Sequence, residues 1–305
     1  MKTGHYLQTF SLFHRAHRLR RSVFGGSRET TSGKTVSRRP PLPNPPDFSS
    51  ARFIFLAGLH RSGTSLIHRA LRRHADVSGF ELTGAKEDEG QFLQTVFPIA
   101  GKFGGPGRFA FDKRARLDET SSVCTPDNAR ILAREWGAYL DLEQTVFIEK
   151  SPPNITKTRF LQAMFPTAYF VIVVRHPIPV SIATQKWSKT TDAELLLHWC
   201  VAHEVLLADI PSLERTLIVR YEDFVEHPQG ELRRLQRFAG LNNSKAGERI
   251  EDRNSLYFQL WEGEGRGKHL GVAPDLFNLT AAKFGYSLGP PYIDGRWPGL
   301  EATQR

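Results

Sequence analysis

Cysteine and methionine are scarce, with two of each in 305 residues. Cys124 and Cys200 are too few for a disulfide framework and belong to no Cys/His cluster at metal-ligand spacing, so both read as ordinary buried thiols. No apolar run reaches about 18 residues, which excludes a membrane-spanning helix. No internal repeat is present. Acids are nearly absent from residues 1–46, which hold nine Lys/Arg against Glu29 alone, a local charge of +8. The whole chain carries a formal +9, so the remainder carries only +1. The basicity belongs to a tail, and a nucleic-acid-binding body is not indicated.

That tail is rich in Arg and Ser, and residues 5–21 suit a short basic amphipathic helix. Its composition fits either an organellar transit peptide or a disordered basic extension without an address. PPLPNPP, residues 40–46, reads as a stiff extended connector. The expected organisation is thus a basic extension over residues 1–50 and one folded domain over 51–305. The body has ordinary globular composition, 40% hydrophobic and 24% charged. Three N-x-S/T sequons occur, at Asn154, Asn242 and Asn278, and they matter only in a secretory compartment. With no membrane anchor, the expected location is cytoplasmic, or organellar if the tail is an address.

Four short apolar segments read as buried strands: residues 53–57 (FIFLA), 145–148 (TVFI), 168–174 (AYFVIVV) and 216–219 (TLIV). Helix-like patterns lie between them, at residues 65–73, 128–140, 157–164, 193–208 and 230–238. That alternation argues for a parallel sheet covered on both faces, a three-layer α/β/α fold whose ligands bind at the carboxyl ends of the strands. Those ends read GLHRSGTS, EKSPP, RHP and RYED. Three of the four carry a cation, and the first loop adds Arg61.

The first loop, residues 58–65, has the spacing of a P-loop-like anion cradle between a strand and a helix. Gly58 and Gly63 permit the turn, and the helix start offers N–H groups and hydroxyls at Ser62, Thr64 and Ser65. What it lacks is the lysine of nucleotide hydrolases, for Thr64 stands there, and no strand ends in an acid suited to Mg²⁺. A P-loop kinase or NTPase is therefore the weaker alternative. A non-catalytic nucleotide-binding homologue is the other.

Arg61-Ser62-Gly63-Thr64 resembles the 5′-phosphosulfate loop of the sulfotransferases, which use 3′-phosphoadenosine-5′-phosphosulfate (PAPS). FPTAYFVIVVRHP resembles the family's second element, a strand ending in a 3′-phosphate arginine, here Arg175. VRYEDFVEHPQGELRRLQRFAGL resembles its Tyr-Glu-Asp segment. IEKSPPN resembles the Lys-x-Pro element of the tyrosylprotein branch, and EDEGQFLQ a segment of the bacterial and plant-type enzymes. These elements run in the expected order over residues 53 to 240.

The resemblance implies sulfuryl transfer from PAPS, without metal, to a small-molecule, glycan or peptide hydroxyl or amine. It assigns Arg61, the Ser62–Ser65 backbone and Lys150 to the phosphosulfate end. Arg175, Ser181 and Tyr221 fall to the 3′-phosphate and adenosine end; Ser181 replaces the family serine, whose position is Ala183 here. Arg266, in GEGRGKH, is a candidate for a late loop over the same phosphate. Glu89 is the preferred general base over Glu81, which lies 20 residues after the loop arginine. His60 and His176 read as walls of the site. Trp187 and Trp199 read either as core or as lining of the acceptor cleft.

Overall fold

Phe53 and Phe55 point to one side of the first strand, Ile54 and Leu56 to the other, and all four are buried. A strand apolar on both faces needs cover on both, which is what the chain supplies. The structure, a computed structural model, describes residues 39–48, 51–243, 252–271, 275–295 and 303–304. The basic tail and its expected disorder or transit role lie outside those residues.

Six strands form one sheet in the order β2-β3-β1-β4-β5-β6. They are β1 (Arg52–Gly58), β2 (Val77–Gly79), β3 (Val146–Lys150), β4 (Ala168–Val174), β5 (Arg215–Arg220) and β6 (Thr303–Gln304). The first five are parallel, and β6 pairs antiparallel with β5. One face carries α1 (Thr64–Arg72) and α7 (Pro228–Phe238), packed on Ile54, Leu56, Val171, Val173, Leu217 and Val219. On the other face, Phe53, Phe55, Phe165, Phe170 and Trp136 of α2 (Pro126–Gly137) form an aromatic layer, with ring centroids 4.9–6.0 Å apart. Burying each such side chain contributes about 1.5–3 kcal/mol. The three-layer α/β/α arrangement follows.

Register decides which loops meet. Leu56 lies beside Lys150, Gly58 beside Val173, and Val174 beside Arg220. The ends of β1, β3, β4 and β5 therefore share one edge of the sheet. After β3 come α3 (Thr158–Met164), then, following β4, α4 (Pro177–Gln185) and α5 (Asp192–Asp209). The later helices are α6 (Tyr221–Glu226), α8 (Asn254–Gly263) and α9 (Asp275–Ala281). A capping box starts α5, with Thr191 and Glu194 satisfying each other's backbone N–H groups.

The proline-rich stretch, expected as a stiff extended connector, is packed against α2. Leu42 N–H donates to Arg134 O at 3.1 Å, Arg134 Nε returns a bond to Leu42 O at 2.6 Å, and Arg39 N–H donates to the Tyr139 hydroxyl. Gly137 lets this happen, since a Cβ there would lie 2.8 Å from Leu42. Residues 39–48 thus belong to the packed body.

Candidate active site

The cradle after β1 is built by close approach. A Cβ on Gly58 would sit 2.5 Å from the Val173 carbonyl, and one on Gly63 would sit 2.6 Å from the Tyr221 ring. Gly63 also holds φ 103°, a region that side chains disfavour. Ser62 is spent inside the loop, its Oγ donating to Leu59 O at 2.7 Å and its N–H to the same oxygen at 3.1 Å. The N–H groups of Thr64 and Ser65, at the start of α1, have no intrahelical acceptor, and the first turn carries no acid. Such a helix start favours an anion.

Arg61 is exposed and holds φ 69°. Its guanidinium lies 5.1 Å from the ring centre of Trp187, which is 42% exposed. Lys86 and Lys186 approach the same indole at 5.7 and 5.0 Å. Trp187 is therefore a surface platform ringed by cations. Trp199 by contrast is core, its Nε1 donating to Arg175 O at 3.0 Å.

Arg175 spans the gap between strand ends. Its Nη1 donates to the carbonyl of Arg61 at 3.0 Å, and its guanidinium sits 4.2 Å from the Tyr221 ring centre. Asn254, at the start of α8, accepts from Nε at 2.9 Å and Nη2 at 2.7 Å, then donates to Glu222 at 2.7 Å. Glu222 also takes bonds from the His176 N–H and the Tyr286 hydroxyl. Asn254 has no motif around it that marks it in the sequence. It is nonetheless the residue that orients Arg175.

Lys150, buried to 2% exposure at the end of β3, donates to Glu87 O at 2.7 Å and lies 3.5 Å from Glu89 Oε1. Burial pushes the Glu89 carboxyl up from its ordinary range, against the pull of Lys150 and a hydrogen bond from Gln91. A carboxyl held partly toward its neutral form is suited to exchange a proton. His60 and His176 are kept neutral, burial pushing each down to about 3, with Lys86 and Lys150 adding to the effect at His60. His176 Nδ1 accepts from Ile178 N–H, so its Nε2 donates to Ser287 O at 2.9 Å. It is a wall.

Three candidates lie elsewhere. Glu81 is exposed and paired with Arg72, at the opposite end of α1 from the cradle. Ser181 is buried, but its Oγ opens into a water-sized pocket with Leu59, His60 and His198 and has no hydrogen-bond partner. Arg266 is held by Glu264, Gln185 and Asp192 at 2.7–3.2 Å, two acids already facing its charge. Arg220, which ends β5, is likewise turned inward to Asp223 at 2.6 and 2.9 Å. Cys124 is half-buried rather than buried, and the Asn154 amide is enclosed, donating to Glu149. Among the described residues, no group of three His, Cys, Asp or Glu is placed to hold a metal ion, and no helix is long and apolar enough to cross a membrane.

A family model described as "Sulfotransferase family" matches residues 53–245, more than half of the chain, and covers the loops that follow β1, β3, β4 and β5. The chain belongs to the sulfotransferase family. This sulfotransferase is 25% identical over 201 residues to protein-tyrosine sulfotransferase 2 of Gallus gallus, across 62% of its own length and 51% of that protein. It is 25% identical over 204 residues to protein-tyrosine sulfotransferase 1 of Danio rerio, across 62% and 53%. The chain spans about half the length of these curated relatives. Among solved structures, the sulfotransferase domain from the Synechococcus PCC 7002 olefin synthase superposes with a TM-score of 0.48 at 19% identity, covering 85% of this chain and all of that one.

Proposed function

We propose that the protein transfers a sulfuryl group from PAPS to a hydroxyl or amine acceptor by in-line displacement. The observation that carries this is the bond from Arg175 to the carbonyl of Arg61. It brings the arginine for one end of a nucleotide bisphosphate onto the loop suited to the other.

The residues fit such a donor. The cradle has no acid in its first turn, its glycines admit close approach, and Arg175 is already fixed by Asn254 and Tyr221. When bound, PAPS supplies the sulfuryl group and a leaving bisphosphate that gains negative charge. Arg61 and the N–H groups of Thr64 and Ser65 stabilise that charge, and Lys150 joins them by releasing Glu87 O. Arg61 is able to grip two oxygens with its planar fork. Glu89 takes the proton of the attacking hydroxyl or amine, and Lys150 holds the resulting pair in place. His60 and His176 stay neutral and exclude water. The named activity of the two relatives makes a peptide tyrosine the first acceptor to test, ahead of glycans and small alcohols or amines.

Calorimetry with adenosine 3′,5′-bisphosphate is the direct test. Binding is expected with and without a chelator, and Arg175→Ala is expected to weaken it tenfold or more, since a charge-assisted contact contributes about 1.5–3 kcal/mol. Undiminished affinity in Arg175→Ala would remove the site assignment. Donor binding without transfer to any of the three acceptor classes would point instead to a non-catalytic homologue.

A further inference from the structure

Successive residues of β3 point to opposite faces, yet Glu149 and Lys150 both reach the same short segment, residues 87–91. Lys150 takes it from one side through Glu87 O and the Glu89 carboxylate. From the other side Glu149, only 1% exposed, accepts the Gly90 N–H on Oε1 at 3.0 Å. The same oxygen accepts from Ser151 Oγ at 2.5 Å, and Ser151 Oγ in turn accepts the Gln91 N–H at 3.0 Å. Oε2 accepts from Asn154 Nδ2 at 2.5 Å. The Gln91 side chain then donates to Glu89 Oε2 at 2.5 Å, while Trp136 Nε1 holds Gly90 O at 3.1 Å. Gly90 is needed at this spot, since a Cβ would lie 2.5 Å from Glu149 Oε1. A buried carboxylate with three donors and no ligand of its own is a scaffold.

Taking Glu89 as the base proposed above, we infer that Glu149 is its positioning residue: the Glu149 carboxylate, directly and through Ser151, fixes the Gly90–Gln91 backbone and so aims Glu89 at the acceptor. The groups facing Glu89 are Lys150 and Glu149 from β3 and Glu87 and Gln91 from its own segment, with Asp88, and His68 of α1, facing Lys150 behind them. Freeing the segment lets water reach Glu89. That moves the Glu89 titration down toward the ordinary carboxylate range.

The test follows the Glu89 carboxyl by ¹³C NMR in glutamate-labelled protein, assigned with Glu89→Gln. In Ser151→Ala and in Glu149→Gln its midpoint is expected to fall by about one pH unit or more, with affinity for adenosine 3′,5′-bisphosphate within about twofold of wild type. An unmoved or raised midpoint overturns the inference. So does a lowered midpoint that comes with lost bisphosphate binding, which would make the role structural. Should Glu149→Gln fail to fold, Ser151→Ala decides alone. Full transfer activity in Glu89→Gln would sink the base assignment while leaving the NMR result on Glu149 untouched, so the two failures are separable.

Discussion

Arg61 sits in a left-handed backbone region, φ 69°, which costs a residue with a side chain about 1–2 kcal/mol. The position keeps arginine against that cost. Arg61→Gly relaxes the backbone and deletes the guanidinium, so thermal melting is expected at or above the wild-type temperature while PAPS binding falls at least tenfold, by about the strength of one charge-assisted contact. A variant that melts lower and binds PAPS normally would contradict both halves. Glu89→Gln is expected to lower kcat by a factor of about 10²–10⁴ with little change in bisphosphate affinity, the span of general-base catalysis; single-turnover transfer kinetics measure it. The residues visible in advance were those whose place follows from a strand end: Arg61, Lys150 and Arg175. Ser181, Glu81 and Arg266 are harder to place, because their surroundings depend on which way a helix turns and which ion stands opposite. Neither is written in local sequence. Ser181 lies four residues into α4, facing His60, and Arg266 meets Asp192 from 74 positions away.

The parallel strands could be read because each is apolar on both faces and short, and β4 runs over the expected residues 168–174. The strand β2 is three residues, Val-Ser-Gly, and offers no periodicity to read. Residues 40–46 read as a connector because proline composition reports stiffness; their docking on α2 comes from bonds between the Leu42 backbone and the backbone and side chain of Arg134, which composition does not carry. At the scale of elements, α8 meets Arg175 through the Asn254 hydrogen bonds and the Tyr257 ring, 5.5 Å from the guanidinium. Asn254→Ala is expected to loosen Arg175 without removing it, weakening bisphosphate binding by about tenfold, the worth of one hydrogen bond to a charged group. Calorimetry showing unchanged affinity would detach α8 from the site. The contact between the loop and α6 is steric. Gly63→Ala places a methyl 2.6 Å from the Tyr221 ring at φ 103°, so a loss of about 1 kcal/mol or more in urea melts is expected together with impaired donor binding.

At the scale of the whole molecule, five histidines among the described residues are held neutral. His60, His68, His176, His198 and His203 are each pushed down to about 3, chiefly by burial. Between about pH 3 and 6.5 the unfolded chain binds protons at these rings and the folded chain does not, so stability rises with pH across that window and falls on acidification. Glu149 acts in the opposite sense. Burial raises its carboxyl to about 7, so between 4.5 and 7 the folded state holds the extra proton, and stability from this group falls as pH rises. Burial also raises the carboxyls of Glu89, Asp192, Asp209 and Glu222, so together with Glu149 they offset part of the imidazole effect. Each fully developed proton difference is worth about 1.4 kcal/mol per pH unit. Urea unfolding at pH 7.5, 6.5 and 5.5 is expected to show a steep loss in the last interval, and His203→Phe, which fills the space stacked on Trp199 without a titrating ring, should reduce that slope by about one proton. A flat stability profile from pH 7.5 to 5.5 would mean that the buried rings already share their protons with the fold.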